Sequence, residues 1–214
     1  MTFTILLLGC TEFGLTDMPS REDLAAPEVG ALEGRTWSVD LAHAEFVEPA
    51  GLGGLLSDDD DMELLFHTTE ERDDGFDMLV TLADGDGGQD PCERVVELPA
   101  AVWTGGAEFA VGGSALEIPI NSEAITLSDL ELAGVLSEDA TAWEDGELHG
   151  LVDTRELAGA LGDLDYDGIC ELIELAKGSC GPCEDGVEAC FELHLADLYG
   201  EERSLDFEAD PVCE

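Results

Sequence analysis

The chain has 214 residues, enough for one domain with a sizeable core. Its 52 acidic residues against 7 basic ones give a formal net charge of −45, a surface that repels phosphate backbones and argues against nucleic-acid binding. At molar salt the Debye length falls to roughly 3 Å and self-repulsion is screened, so the composition reads as a solubility device for a saline habitat, with a cation-binding surface as the alternative.

The first element is apolar. Phe3 to Leu8 form a run too short to span a bilayer, and it reads as the end of a secretory signal. The run closes in Leu7-Leu8-Gly9-Cys10, which resembles the lipobox of bacterial lipoproteins. That resemblance implies cleavage before Cys10, a diacylglycerol on its thiol, and membrane attachment through that lipid anchor. The basic residues that open such signals are absent from Met1-Thr2, a departure that leaves the start of the signal open. The expected organisation is a signal peptide at 1–9, an acylated cysteine and flexible tether at 10–33, and one β-rich domain over 34–214.

From Gly34 a period of two sets in. Trp37, Val39 and Leu41 share a face opposite Ser38 and Asp40. Met62, Leu64 and Phe66 do the same, and so do Phe76, Met78, Val80 and Leu82. Leu116, Ile118 and Ile120 alternate with Glu117 and Pro119, the proline marking an edge or a bulge. Ile125 and Leu127 change phase to Leu130 and Leu132 across Ser128-Asp129, which predicts a β-bulge. Leu148 with Val152, and Phe191 with Leu193 and Leu195, continue the pattern. The acidic, Gly-ended stretches 71–75 and 137–146 read as hairpin loops. Before the last strand lies a helical insert at about 153–178. Asp153-Thr-Arg-Glu156 has the spacing of a capping box, and a second short helix ends near Lys177 with Gly178 as its cap.

The fold class is therefore mainly β, an antiparallel barrel or sandwich of about eight to nine strands with a short C-terminal helical insert. A barrel followed by a helix and a returning strand resembles the layout of lipocalins over residues 34–162, and Gly34-Arg-Thr-Trp37 is similar to their Gly-x-Trp signature with one residue too many. The lipobox, the acidic body and the ending GSCGPCEDGVEAC together resemble uncharacterised surface lipoproteins of myxobacteria.

Of seven cysteines, lipidation of Cys10 leaves Cys92, Cys170, Cys180, Cys183, Cys190 and Cys213, the count for three disulfides in an oxidising compartment. The turn Glu184-Asp-Gly186 favours Cys183–Cys190, and the other pairings stay open. Asp163, Asp165, Asp167, the Ile169 carbonyl and Glu174 have the spacing of an EF-hand loop and nominate a Ca2+ site; the alternative is a solvated turn whose aspartates cap the next helix. Cys180, Cys183, Cys190 and His194 have zinc-ligand spacing, although the compartment favours disulfides. Nucleophile-elbow, zincin, phosphate-loop and dinucleotide motifs are absent, and no catalytic residue is nominated. The expected role is non-catalytic binding or structure at the cell envelope, with an unidentified ligand or protein partner. The rivals are a lipocalin-like carrier with a cavity lined by Trp37, Phe66, Phe76 and Met78, and a hydrolase using two carboxylates.

Overall fold

The computed structural model describes residues 27–28, 30–52, 63–120, 123–161 and 164–213. Cys10 and Asp163 lie outside them. The alternating segments become β1 (Thr36–Asp40), β2 (Glu45–Glu48), β3 (Glu63–Arg72), β4 (Gly75–Leu82), β5 (Val96–Glu97), β6 (Ala101–Gly105), β7 (Glu108–Ile120), β8 (Glu123–Leu136) and β9 (Ala142–Asp153). Two helices follow, α1 (Thr154–Leu161) and α2 (Tyr166–Leu175), then β10 (Gly181–Pro182) and β11 (Glu188–Glu202).

Eight antiparallel strands run in the order β1-β3-β4-β6-β7-β8-β9-β11, and β11 pairs back to β1, setting Trp37 opposite Glu202. The sheet is thus a closed barrel and not a sandwich, which removes its open edges. After β1 a 3-10 turn at Leu41–His43 leads into β2, which keeps to β11 and places Glu48 opposite His194. The helical insert holds its expected place. What differs is the returning strand: β11 is the eighth stave of the barrel itself, so the helices interrupt the barrel between its last two strands.

The interior is filled by aromatic side chains in contact. Trp143 packs on Phe66 and Phe109 at 5.0 and 5.4 Å between ring centroids, and Phe76 joins Phe109 and Trp103 at 5.4 and 5.2 Å. Trp37 donates its indole N–H to the Ala140 carbonyl at 3.1 Å, so its polar edge is satisfied in the core. Such tilted and edge-on pairs add to the burial energy of the rings themselves.

Local signals fared unevenly, for physical reasons. The predicted bulge at Ser128-Asp129 is present: Asp129 has φ +52° and the β8–β9 register shifts there. The predicted loop 137–146 is shorter, because Ala142–Gly146 belongs to β9 and Trp143 is 1% exposed. Glu144-Asp145-Gly146 looks like a turn because it is a bulge inside a strand, with Asp145 at φ +50°. A side chain at Gly146 would begin 2.7 Å from the Leu198 Cβ, so the residue is small for contact reasons. Asp153 accepts from the Arg155 amide as a cap should, but Glu156 does not complete a box. Its carboxylate turns to the Thr126 amide at 2.6 Å and pins α1 to β8. At the end of α2 it is Lys177, at φ +70°, that adopts the left-handed cap. Gly178 follows it, donating to the Ile173 carbonyl, and a Cβ there would meet Pro49 and Ile173 at 2.8 Å.

Candidate functional site

Three disulfides hold the periphery: Cys183–Cys190, Cys170–Cys180 and Cys92–Cys213. The first closes the turn between β10 and β11, as expected from its sequence. The second ties α2 to the approach of β10. The third fastens the carboxyl-terminal segment to the 84–95 loop across 121 residues of chain. That segment crosses the outside of β1 and β3, where Arg203 donates to Ser38 and Phe207 stacks on His67 at 4.4 Å. Crosslinking of this density is compatible with an oxidising, extracytoplasmic setting. It also overturns the zinc set drawn from Cys180, Cys183, Cys190 and His194, because all three thiols are consumed as half-cystines.

The described calcium-loop residues are not gathered around a point. Asp165 is the N-cap of α2 and accepts from the Gly168 amide at 2.9 Å; Asp167, Gly168 and Ile169 lie in its first turns, with Ile169 buried. Glu174 stands near the far end, nine residues on, which is about 13 Å along an α-helix. The sequence alternative, aspartates that cap the helix, describes Asp165 directly.

The geometry of a small apolar carrier is likewise missing from the described core. Trp37, Phe66, Phe76 and Met78 are 1–2% exposed and pack against neighbours, and the void between Leu64, Val80 and Leu116 is only about 10 Å³. Among carboxylates, Glu93 is held above the usual range by burial and then by Asp90, and it sits in the largely exposed turn around Cys92. Asp153 and Asp185 are held below it by hydrogen bonds from Arg155, which bridges them at 2.6 Å to each and fastens the end of β9 to the Cys183–Cys190 turn.

What the barrel does assemble lies on its outer wall. Strand register sets Glu131 of β8 opposite His149 of β9, His149 opposite His194 of β11, and His194 opposite Glu48 of β2. Because side chains alternate, Leu148, Val152 and Leu195 point to the core while His149 and His194 face outward. Glu147 stands two residues before His149 on the same face. The imidazoles stack with 3.7 Å between ring centroids and 25° between planes. The Glu147 carboxylate comes within 3.7 Å of His149 Nε2, and one donor atom each of Glu147, His149 and His194 lies within 4.8 Å of the others. Around them is a depression of about 340 Å³ with Glu48, Asp129, Glu131 and Glu192 on its rim.

His194 Nε2 is shielded from solvent without a hydrogen-bond partner, and burial, then the neighbouring His149, lowers its pKa. At neutral pH it is the neutral, ligating form. The alternation of β9 and β11 puts both histidines on a polar face, which is legible in the sequence. Their pairing, and that of Glu131 and Glu48 with them, depends on which strands become neighbours. Protein-family models, characterised proteins and solved structures yield no match to this chain, so the case for its function rests on these side chains and their setting.

Proposed function

We propose that the chain is a lipid-anchored, extracytoplasmic β domain with a non-catalytic binding or structural role at the cell envelope. The observation that carries this reading is that all six cysteines from Cys92 onward are paired. The pairing leaves Cys10 as the odd thiol, in the position where the lipobox-like Leu7-Leu8-Gly9-Cys10 needs a free one. The net charge of −45 suits a surface that stays soluble in salt while tethered. Among the described residues no helix is long and apolar enough to cross a membrane.

A filled interior favours the outer wall as the place of contact with a partner, over a lipocalin-like carrier whose ligand sits inside. The reading does not depend on calcium at 163–174, where α2 separates Glu174 from Asp165 and Asp167. The test is expression of the full chain in a lipoprotein-processing bacterium, followed by detergent phase partitioning and non-reducing mass spectrometry. The expected product carries acyl groups on Cys10 and three disulfides, and Cys10→Ser releases it from the membrane fraction. An unacylated product with six free thiols in the cell interior overturns the reading.

A further inference from the structure

We propose that His149, His194 and Glu147 form a binding site for a divalent transition-metal ion of the zinc class on the outer wall of the barrel. This inference does not rest on the lipid anchor, since it needs only the folded, oxidised domain.

The donor chemistry selects the ion. Two imidazoles and a carboxylate suit zinc, copper or nickel, whereas calcium and magnesium take oxygen ligands. The donors are near one another, and turning the His149 ring out of its 3.7 Å stack on His194 is what aims its nitrogen at a shared ion. Zinc–nitrogen bonds of about 2.0 Å in a tetrahedron put ligand atoms roughly 3.3 Å apart. The three donors here fall within 4.8 Å of each other, so a contraction of at most about 1.5 Å for any pair completes the set. Glu147 and His149 are part-exposed, with side-chain exposures of 58% and 44%, and can make that adjustment by rotating about their side-chain bonds. The backbone beneath does not need to move, because His149 and His194 are directly opposed in an antiparallel ladder.

Two further observations point the same way. His194 Nε2 is a buried polar atom with no protein partner, a cost that a metal bond removes. His149 Nε2 has the Glu147 carboxylate at 3.7 Å, ion-pair distance and beyond hydrogen-bond reach, so two of the three donors already stand side by side. Glu131 and Glu48 close the row on either side and can orient the imidazoles or supply a further oxygen. The acidic rim concentrates cations at the depression.

That same acidity attracts any cation, so the experiment must separate ligation from an ion atmosphere. The full chain, oxidised and stripped with a chelator, is titrated calorimetrically with zinc at high NaCl and in excess magnesium. The expected result is one saturable zinc per chain, with His149→Ala or His194→Ala weakening binding about tenfold or more, Glu147→Gln weakening it less, and Glu188→Gln leaving it unchanged. Cobalt in place of zinc is expected to give a visible absorption band that the histidine variants lose. Near-ultraviolet circular dichroism checks that the variants are folded; should either histidine variant fail to fold, the wild-type cobalt spectrum decides alone, its nitrogen-ligated band supporting the site and a spectrum identical to aqueous cobalt overturning it. Zinc binding that magnesium abolishes, or that the double variant His149→Ala/His194→Ala retains in full, also overturns it.

Discussion

Strands β8, β9 and β11 face two environments through residues that are neighbours in the chain. Leu132, Leu148 and Leu195 point inward and are 1–2% exposed, locked among the aromatic rings. Glu131, His149 and His194, each one residue away, point outward and form a transverse polar row. One ladder of backbone hydrogen bonds supports both walls, yet they obey different criteria. The inner wall is judged by volume, since any void or overlap in a close-packed core costs stability. The outer wall is judged by charge and donor geometry, and changing it leaves packing largely alone. A barrel with its interior filled can therefore devote one exterior face to binding without weakening the fold.

The comparison can be broken from the inside first. Trp143→Ala removes the ring that joins Phe66 to Phe109 and is expected to cost about 3–5 kcal/mol in urea unfolding at high salt. Metal-free His149→Ala should change the same quantity by no more than about 0.5 kcal/mol. Equal losses at the two positions would erase the distinction between the walls.

The longer disulfide is of comparable size and the shorter one smaller. Removing Cys92–Cys213 by a double serine substitution opens a loop of more than a hundred residues, worth about 4–5 kcal/mol on the chain-entropy account, whereas Cys183–Cys190 closes a loop of 7 and should cost about 2 kcal/mol. Unfolding midpoints of the two variants should separate in that order. Glu156→Ala strips the acceptor from the Thr126 amide and should cost about 1–2 kcal/mol, which Glu156→Gln partly restores.

The smallest effect is in pH. His194 and His67 have lowered pKa values, mainly from burial. The unfolded chain then binds protons first, so stability contributed by the neutral rings is present above about pH 6.5 and is lost as pH falls towards the folded values. The melting temperature of His194→Asn should fall less than that of wild type between pH 7.5 and about 5.5. A parallel fall in both proteins would contradict the assignment. Raising NaCl should lift the melting temperature of every variant alike, as expected of a chain with net charge −45.

How much of this was legible in the sequence varies with the range of the interaction. Alternation located the inward faces at Trp37, Phe66, Met78 and Leu148, because that period is local to each strand. Six cysteines foretold three crosslinks, and the short Cys183–Cys190 turn was readable where the 121-residue pairing of Cys92 with Cys213 was not. Trp143 was hidden by the Glu-Asp-Gly that follows it, since a bulge and a turn use the same residues. The acidic spacing at 163–174 pointed to a loop, and the helix-forming Ile169-Cys-Glu-Leu-Ile run took most of it into α2. The outer row was beyond reach for another reason. Glu48, Glu131, His149 and His194 come from four strands, and only the pairing of β8 with β9, β9 with β11 and β11 with β2 sets their register.

The most direct test of the division between the walls is to follow the imidazole resonances of the four histidines while zinc is added to the metal-free, oxidised protein. The account predicts that His149 and His194 shift together and saturate at one equivalent, with His43 and His67 unmoved and the core aromatic signals unchanged. Shifts spread evenly over all four histidines, or changes centred on the Trp143 and Phe66 rings, would contradict it.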